Sequence, residues 1–177
     1  MKSVVSKIVV FIIRGLKFFT ASPAEAVLLP FIRGVWKKSG LEFYGYKAAA
    51  ENGNSEAQFI LGCMYDKGDG VKQDDAEAIK WLHKSAEQGY ASAQFVLGLK
   101  YGNGDNGLKE SSSEAFKWFY KAAEQGDDEA QYCVGLSYSA GLGVKANPSE
   151  AVNWLRKAAR QNHSGAQKAL RERNETW

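Results

Sequence analysis

Cysteine, histidine and proline are scarce in this chain of 177 residues. The two cysteines, Cys63 and Cys133, are too few for a disulfide framework. The two histidines, His83 and His163, each lack a second ligand four residues away, so we interpret them as solvated side chains and expect no metal site. Three prolines beside eighteen glycines indicate many tight turns and few irregular loops.

A long hydrophobic run is also missing. The longest uncharged apolar stretch, Ile8–Ile13, is far shorter than the roughly 20 residues of a membrane-spanning helix, so we expect no conventional transmembrane segment. Positive charge is concentrated at the start, because residues 1–40 contain seven Lys or Arg and one acid, whereas residues 41–177 contain sixteen basic and nineteen acidic residues. The pI near 8.7 therefore comes from the first 40 residues, and we expect no nucleic-acid partner.

What the sequence does contain is internal repetition with a period of 36 or 37 residues. A four-residue string with alanine and glutamine at its centre recurs as Glu56–Phe59, Ser92–Phe95, Glu129–Tyr132 and Gly165–Lys168. Tryptophan keeps the same period at Trp81, Trp118 and Trp154, with Tyr44 at the corresponding place one period earlier. Regular recurrence of this length predicts a solenoid of stacked supersecondary units.

Within each unit the pattern predicts two helices joined by a glycine-rich turn. In the first helix an apolar stripe follows a period of 3.6 residues, at Ala57, Ile60, Leu61, Met64 and Tyr65. A glycine recurs inside that helix (62, 98 and 135), and since such a glycine costs about 1 kcal/mol relative to alanine, it indicates close approach of a neighbouring helix. The second helix begins at an N-cap with a capping box or an N1 proline, at Asp74 with Glu77, Ser111 with Glu114, and Asn147 with Pro148 and Glu150.

These motifs resemble the Sel1-like repeat family, a relative of the tetratricopeptide repeats. The resemblance rests on three motifs. The first helix has A-x-x-x-L-G-x-x-Y, as at Ala57, Leu61, Gly62 and Tyr65, and the turn has G-x-G-V, as at Gly68, Gly70 and Val71. The second helix has A-x-x-W-x-x-K-A-A, as at Ala115, Trp118, Lys121, Ala122 and Ala123. It covers about residues 41–170 and implies an all-α fold, a right-handed α-solenoid of Sel1-like helix–turn–helix repeats. We therefore predict a segment 1–40 and a repeat domain 41–177, the latter with a half repeat 41–53, repeats at about 54–89, 90–126 and 127–162, and a terminal half repeat 163–177.

Residues 4–19 have an amphipathic pattern, with apolar residues on one helical face and Lys7, Arg14 and Lys17 on the other. Three interpretations stay open. The segment is a basic helix on an anionic membrane surface, an export signal that ends at Ala24-Glu25-Ala26, or a cap over the first repeat. The first two predict a membrane-associated or exported, periplasmic protein rather than a freely cytoplasmic one.

The resemblance also implies that the first helix of each unit lines a concave face that binds another protein or a peptide. Off the buried stripe, the positions on that helix form an apolar track bordered by acids, which we predict to be partner-binding: Glu56, Phe59, Cys63, Asp66, Phe95, Leu99, Glu129, Tyr132 and Leu136. The alternative for the three aromatic residues, Phe59, Phe95 and Tyr132, is packing on the adjacent repeat.

The predicted function is therefore that of a non-enzymatic interaction scaffold or adaptor, with no catalytic residue and no cofactor. One alternative is an immunity protein that neutralises a secreted toxic effector. Another alternative, of a different class, is a hydrolase of a β-lactam or cell-wall-related substrate. The resemblance implies this activity only for cysteine-rich family members, which carry a cysteine pair within each repeat, and no repeat of this chain contains such a pair. Residues 102–107 match G-x-G-x-x-G, but they follow a helix and align with the other turns, so we do not expect dinucleotide binding.

Overall fold

The computed structural model describes residues 41–177, which contain helices and turns and no strand. The helices are α1 (Leu41–Glu51), α2 (Ser55–Lys67), α3 (Asp75–Glu87), α4 (Ala91–Asn103), α5 (Ser112–Glu124), α6 (Asp128–Ala140), α7 (Pro148–Arg160) and α8 (Ser164–Arg171). The amphipathic stretch 4–19 and the Ala24-Glu25-Ala26 site lie outside the described residues. None of the helices in residues 41–177 has both the length and the apolar character needed to cross a bilayer.

Each helix packs on its neighbours along the chain, in the manner of a solenoid. Three hairpins, α2–α3, α4–α5 and α6–α7, form complete units, while α1 and α8 stand as half units at either end. The core is a series of clusters along the array, and its fully buried residues come from every unit: Leu61, Leu82, Leu97, Val134, Leu155 and Leu170. The predicted all-α repeat architecture is confirmed.

The recurring glycines lie where the two helices of a unit touch. A Cβ atom added to Gly62 would lie 2.9 Å from Leu82 Cγ, and one added to Gly98 would lie 2.5 Å from Phe119 Cδ1. At Gly135 the corresponding distance, to Leu155 Cγ, is 2.8 Å. These distances are well inside ordinary van der Waals contact, so the inference of close helix approach is confirmed.

The second helices have N-caps at the predicted residues. The side chains of Asp74, Ser111 and Asn147 accept hydrogen bonds from backbone N–H groups three residues on. The reciprocal half of the capping box, however, was predicted wrongly. The backbone N–H groups of these N-cap residues donate instead to carbonyl oxygens at the end of the preceding helix, those of Tyr65, Tyr101 and Tyr138, at 3.0, 2.8 and 2.9 Å.

A ladder of glutamine side chains joins successive units. Gln58, Gln94 and Gln131 are buried, and each donates through Nε2 to the carbonyl of an alanine near the end of the preceding second helix, namely Ala50, Ala86 and Ala123. Each also accepts through Oε1 from a glutamine that follows its own second helix, namely Gln88, Gln125 and Gln161. The ladder satisfies buried polar groups at every junction between units.

The ladder also fixes the register of α1 and corrects one sequence correspondence. Because Gln58 donates to Ala50 as Gln94 donates to Ala86, α1 aligns with α3 at a spacing of 36 residues. The residue that aligns with Trp81 is then Gly45, and Tyr44 is wrongly placed in that series. Tyr44 is 60% exposed, whereas Trp81 is 6% exposed.

Candidate partner-binding surface

The positions off the buried stripe of α2, α4 and α6 form what we call the first-helix face. It consists of Glu56, Phe59, Cys63 and Asp66 on α2 and the residues at equivalent positions on α4 and α6. All the residues predicted to bind a partner belong to this face, because the repeat brings equivalent positions of successive units side by side.

The aromatic residues of the face are engaged in packing. The Phe59 ring lies 5.3 Å from the ring of Tyr90, at the start of the next unit, and Tyr132 stacks on His163 at 4.5 Å. Phe95 packs on Phe119 of its own second helix at 5.7 Å. These half-buried rings support the packing interpretation over a direct role in binding.

Leucine side chains provide the exposed apolar part of the face. Leu99 and Leu136 occupy equivalent positions in consecutive repeats and are 39% and 37% exposed. Cys63 occupies that position in the first complete unit and is half-buried. Exposed leucines at the same position of a solenoid leave an apolar row that the fold itself does not cover.

Asp66 is committed to a contact between repeats. Its Oδ1 atom lies 2.8 Å from Nζ of Lys100, a lysine that is only 8% exposed, and accepts a hydrogen bond from Asn106 Nδ2 at 2.7 Å. Although partial burial acts to raise the pKa of Asp66, these hydrogen bonds lower it below its ordinary value. The Asp66 carboxylate therefore links the first complete unit to the second, and its Oδ1 atom is engaged by Lys100 and Asn106.

Sequence reasoning missed Lys100 and Asn106, although both left a signal. Lys100 stands in the stripe where the first complete unit has Met64. Asn106 is the extra residue of the 37-residue repeat, and its φ of 56° lies in the left-handed region that asparagine tolerates. An inserted residue in a repeat thus marks a contact that the other units lack.

The acidic residues Glu56 and Glu129 border the face. Glu56 is exposed, and the side chain of Glu129 is 61% exposed and lies 3.3 Å from His163 Nε2. The His163 side chain is only 9% exposed, and its Nδ1 atom caps α8 by accepting from the backbone N–H of Ala166 at 3.1 Å. The interpretation of this histidine as solvated is therefore wrong.

The second histidine, His83, is also not a solvated side chain. Its Nε2 atom lies 3.1 Å from the Tyr101 hydroxyl, and its ring meets Trp118 edge-on at 5.7 Å. Desolvation by burial lowers the pKa of His83 below its ordinary value. Both histidine side chains therefore contact residues of other helices, and their positions in the sequence did not predict these contacts.

The remaining candidate groups for chemistry are the two cysteines and the glycine-rich stretch at residues 102–107. Both cysteines are free, and desolvation by burial raises their pKa values, that of Cys133 to about 11, so both are protonated thiols at neutral pH. The G-x-G-x-x-G stretch consists of the last two residues of α4 and the start of the turn to α5, with positive φ at Gly104, Asn106 and Gly107. Residues 41–177 hold no cluster of three or more His, Cys, Asp or Glu side chains suited to a metal ion.

Comparison with known proteins gives a consistent result. The family described as Sel1 repeat matches residues 55–90, 91–127 and 128–163. A solved Sel1 repeat protein from Oxalobacter formigenes is 38% identical, with a TM-score of 0.71, covering 74% of this chain and 98% of its own. No curated protein matches this chain.

Two further solved structures are similar to the array. A protective antigen of uropathogenic Escherichia coli strains that displays an SLR fold is 38% identical, with a TM-score of 0.69, covering 72% of this chain and 27% of its own. The Helicobacter pylori cysteine rich protein B is 24% identical, with a TM-score of 0.57, covering 75% of this chain and 93% of its own, and shows the fold alone.

Proposed function

Because the chain belongs to the Sel1 repeat family, whose members are typically scaffolds for protein–protein interaction, we propose that it binds a partner protein or peptide on the first-helix face. The observation that carries this proposal is the pair Leu99 and Leu136, which are 39% and 37% exposed at equivalent positions of consecutive repeats. Covering such a partly exposed leucine contributes about 1 kcal/mol, or about fivefold in Kd. The two leucines act as apolar anchors, and Glu56 and Glu129 set the charge at the border.

The aromatic rows take a supporting part in this proposal. Phe59, Phe95 and Tyr132 hold the first helices in register through their contacts with Tyr90, Phe119 and His163. Partner specificity then resides in the residues that differ between repeats, because a shared framework provides shape and the variable side chains provide recognition.

The experiment is site-specific photo-crosslinking in living cells of the native host. A photoreactive phenylalanine analogue replaces Leu99 or Leu136, and the control position is Leu142, which is 55% exposed in the turn after α6. We expect a discrete crosslinked partner from positions 99 and 136 and none from 142. Equal capture from all three positions would refute a specific face.

A matched pair of variants tests the same face independently. The double variant L99D/L136D is expected to lose the crosslinked partner with an unchanged melting temperature, and L142D to keep it. If the double variant retains the partner, the leucines do not form the binding surface. If it unfolds while L142D does not, the leucines belong to the core of the fold.

The immunity-protein and hydrolase alternatives stay predictions. Genes adjacent to this one bear on the first, since an effector gene beside it would favour immunity. Hydrolysis of nitrocefin by purified protein would revive the second, which the raised thiol pKa values at Cys63 and Cys133 do not support.

A further inference from the structure

The two kinds of helix in the array differ in charge. The first helices α2, α4 and α6 carry four carboxylates and two lysines, a net charge of −2. The second helices α3, α5 and α7 carry six carboxylates and seven Lys or Arg, a net charge of +1. The charged residues of the first-helix face itself are carboxylates, Glu56, Glu129 and the paired Asp66, so a basic ligand is attracted to this face rather than to the second helices.

The spacing of the exposed row constrains the form of that ligand. The helices α2 and α4 are joined directly by the 2.8 Å pair of Asp66 and Lys100. Because side chains of α2 and α4 meet at this pair, consecutive first helices lie about one helix diameter apart, so Cys63, Leu99 and Leu136 follow one another in steps of about 10 Å. A helical ligand rises 1.5 Å per residue, so apolar residues seven apart, spaced about 10.5 Å, match those steps.

The chain itself contains a sequence with these properties. Val5, Ile12 and Phe19 are seven residues apart, and so are Val4, Phe11 and Phe18. Lys7 and Arg14 repeat at the same spacing, and residues 1–40 carry seven basic residues and one acid. The segment thus combines the apolar spacing of the leucine row with charge opposite to that of the first helices.

The length of the chain allows the contact. Twenty-one residues separate Phe19 from Leu41, and an extended chain of that length spans up to about 70 Å. Leu136 lies on α6, five helix-to-helix steps from α1, which is at most about 50 Å. Tethering at this range gives an effective concentration of up to about millimolar, so even a weak contact is populated.

We infer that residues 4–19 bind the first-helix face of their own chain, where they cover Leu99 and Leu136 and compete with the partner. This inference rests on the proposed function, because it names the resting occupant of the same face. Its consequence is regulatory, since a partner binds only by displacing the segment, and anything that draws the segment away, such as an anionic membrane, opens the face.

The test uses the purified full-length chain with the photoreactive analogue at position 99 or 136, and at 142 as control. After irradiation and trypsin digestion, mass spectrometry reports which peptide is crosslinked. By the spacing of the row, position 99 faces Ile12, and position 136 faces Val5 or Phe19. We therefore expect the peptide Ile8–Arg14 from position 99 and the peptide Ser3–Lys7 or Phe18–Arg33 from position 136, each joined within one chain at monomer mass. Position 142 is expected to give at least fivefold less.

Two variants of equal charge make the result specific. I12D places a carboxylate in the apolar stripe and is expected to lower the crosslink yield at least fivefold. S3D adds the same charge on the polar side and is expected to leave the yield within twofold of wild type. Equal yields from the two variants would show that the stripe does not bind.

Other outcomes overturn the inference in distinguishable ways. Crosslinks at dimer mass would assign the segment to a second copy, and mature protein that lacks residues 4–19 in cells would identify them as a cleaved signal. If anionic vesicles capture the segment while positions 99 and 136 never crosslink to it, it is a membrane anchor alone. Partner capture in cells without these crosslinks refutes this inference and leaves the proposed function intact, while absence of both refutes both.

Discussion

Substitution of two glycines on the same helix separates packing from helix propensity. Gly98 lies in the interior of α4 and Gly102 in its last turn, so replacing Gly98 with alanine gains about 1 kcal/mol from helix propensity and replacing Gly102 gains up to that amount. At Gly102 the added Cβ meets only Ala115 Cβ, at 3.7 Å, which is an ordinary contact. At Gly98 it meets two carbons of the Phe119 ring at 2.5 Å, so the ring must move by about 1 Å.

The magnitudes then favour opposite signs. Phe119 is 9% exposed and packs on Phe95, so its displacement carries the cost of overpacking a core, about 1–3 kcal/mol. We expect G102A to be up to about 1 kcal/mol more stable than wild type. G98A should be about 1–3 kcal/mol less stable than G102A, which corresponds to a gap of roughly 3–15 °C in Tm.

The assay is urea and thermal unfolding followed by circular dichroism at 222 nm, with wild type and both variants measured together. Both variants gain from helix propensity, so a lower stability of G98A than of G102A reports the packing cost at Gly98. If G98A is as stable as G102A, the helices α4 and α5 adjust to a methyl group, and close approach is not the reason for the recurring glycine.

Three further variants test the contacts between units. Gln94→Leu removes both hydrogen bonds of a buried side chain, the one to the Ala86 carbonyl and the one from Gln125 Nε2, and should cost about 1–3 kcal/mol in urea unfolding. Gln167→Leu, at the half-buried end of the ladder, removes only the hydrogen bond to Ala159 and should cost less; equal costs would contradict the ladder. Lys100→Met should raise the pKa of Asp66 and remove the stability that the ionised Asp66 gives to the fold. In the wild type this stability is present above a pH of about 4 and is lost as pH falls through the lowered pKa of folded Asp66, so an unchanged acid unfolding curve of the variant would contradict the prediction. Folding lowers the pKa of His83, so as pH falls the unfolded chain takes up the proton first, and the stability of the fold should decrease below a pH of about 6.5. His83→Gln should reduce this pH dependence in melting curves recorded from pH 7.5 to 5.5. If the pH dependence persists in the variant, His83 is not its source.

The framework of the fold was predictable because it repeats. Glycine at 62, 98 and 135 and the caps at Asp74 and Ser111 recur in register, so each copy supports the interpretation of the others. The prediction for Tyr44 was wrong because α1 has one residue more between Lys47 and Glu51 than α3 has between Lys84 and Glu87. Aligning the two helices on these lysines therefore gives a register one residue away from that of the Gln58–Ala50 hydrogen bond.

The candidate face was predictable only in part. Its positions followed from the repeat, but their roles depend on neighbours that differ from unit to unit. Asp66 is occupied because Lys100 and the inserted Asn106 reach it. Leu99 and Leu136 stay exposed although the neighbouring rows are covered, and no periodic pattern distinguishes a covered row from an uncovered one. Burial is a property of the packed array, so the sequence pattern alone did not determine it.

The last helix shows how departures from the repeat also limit the packing of the array. Gln167 of α8 donates to Ala159 as its equivalents do, so the contact with the preceding unit is kept. Thirty-six residues after Gly135, however, stands Arg171, and thirty-six after Tyr132 stands Lys168, both exposed. A helix cannot approach α8 at Arg171 as α7 approaches α6 at Gly135, because the arginine side chain fills the space that the glycine leaves open. Instead Glu175 pairs with Arg156 at 2.7 Å and Trp177 lies over Arg171, so charged side chains and a short return segment close this side of α8.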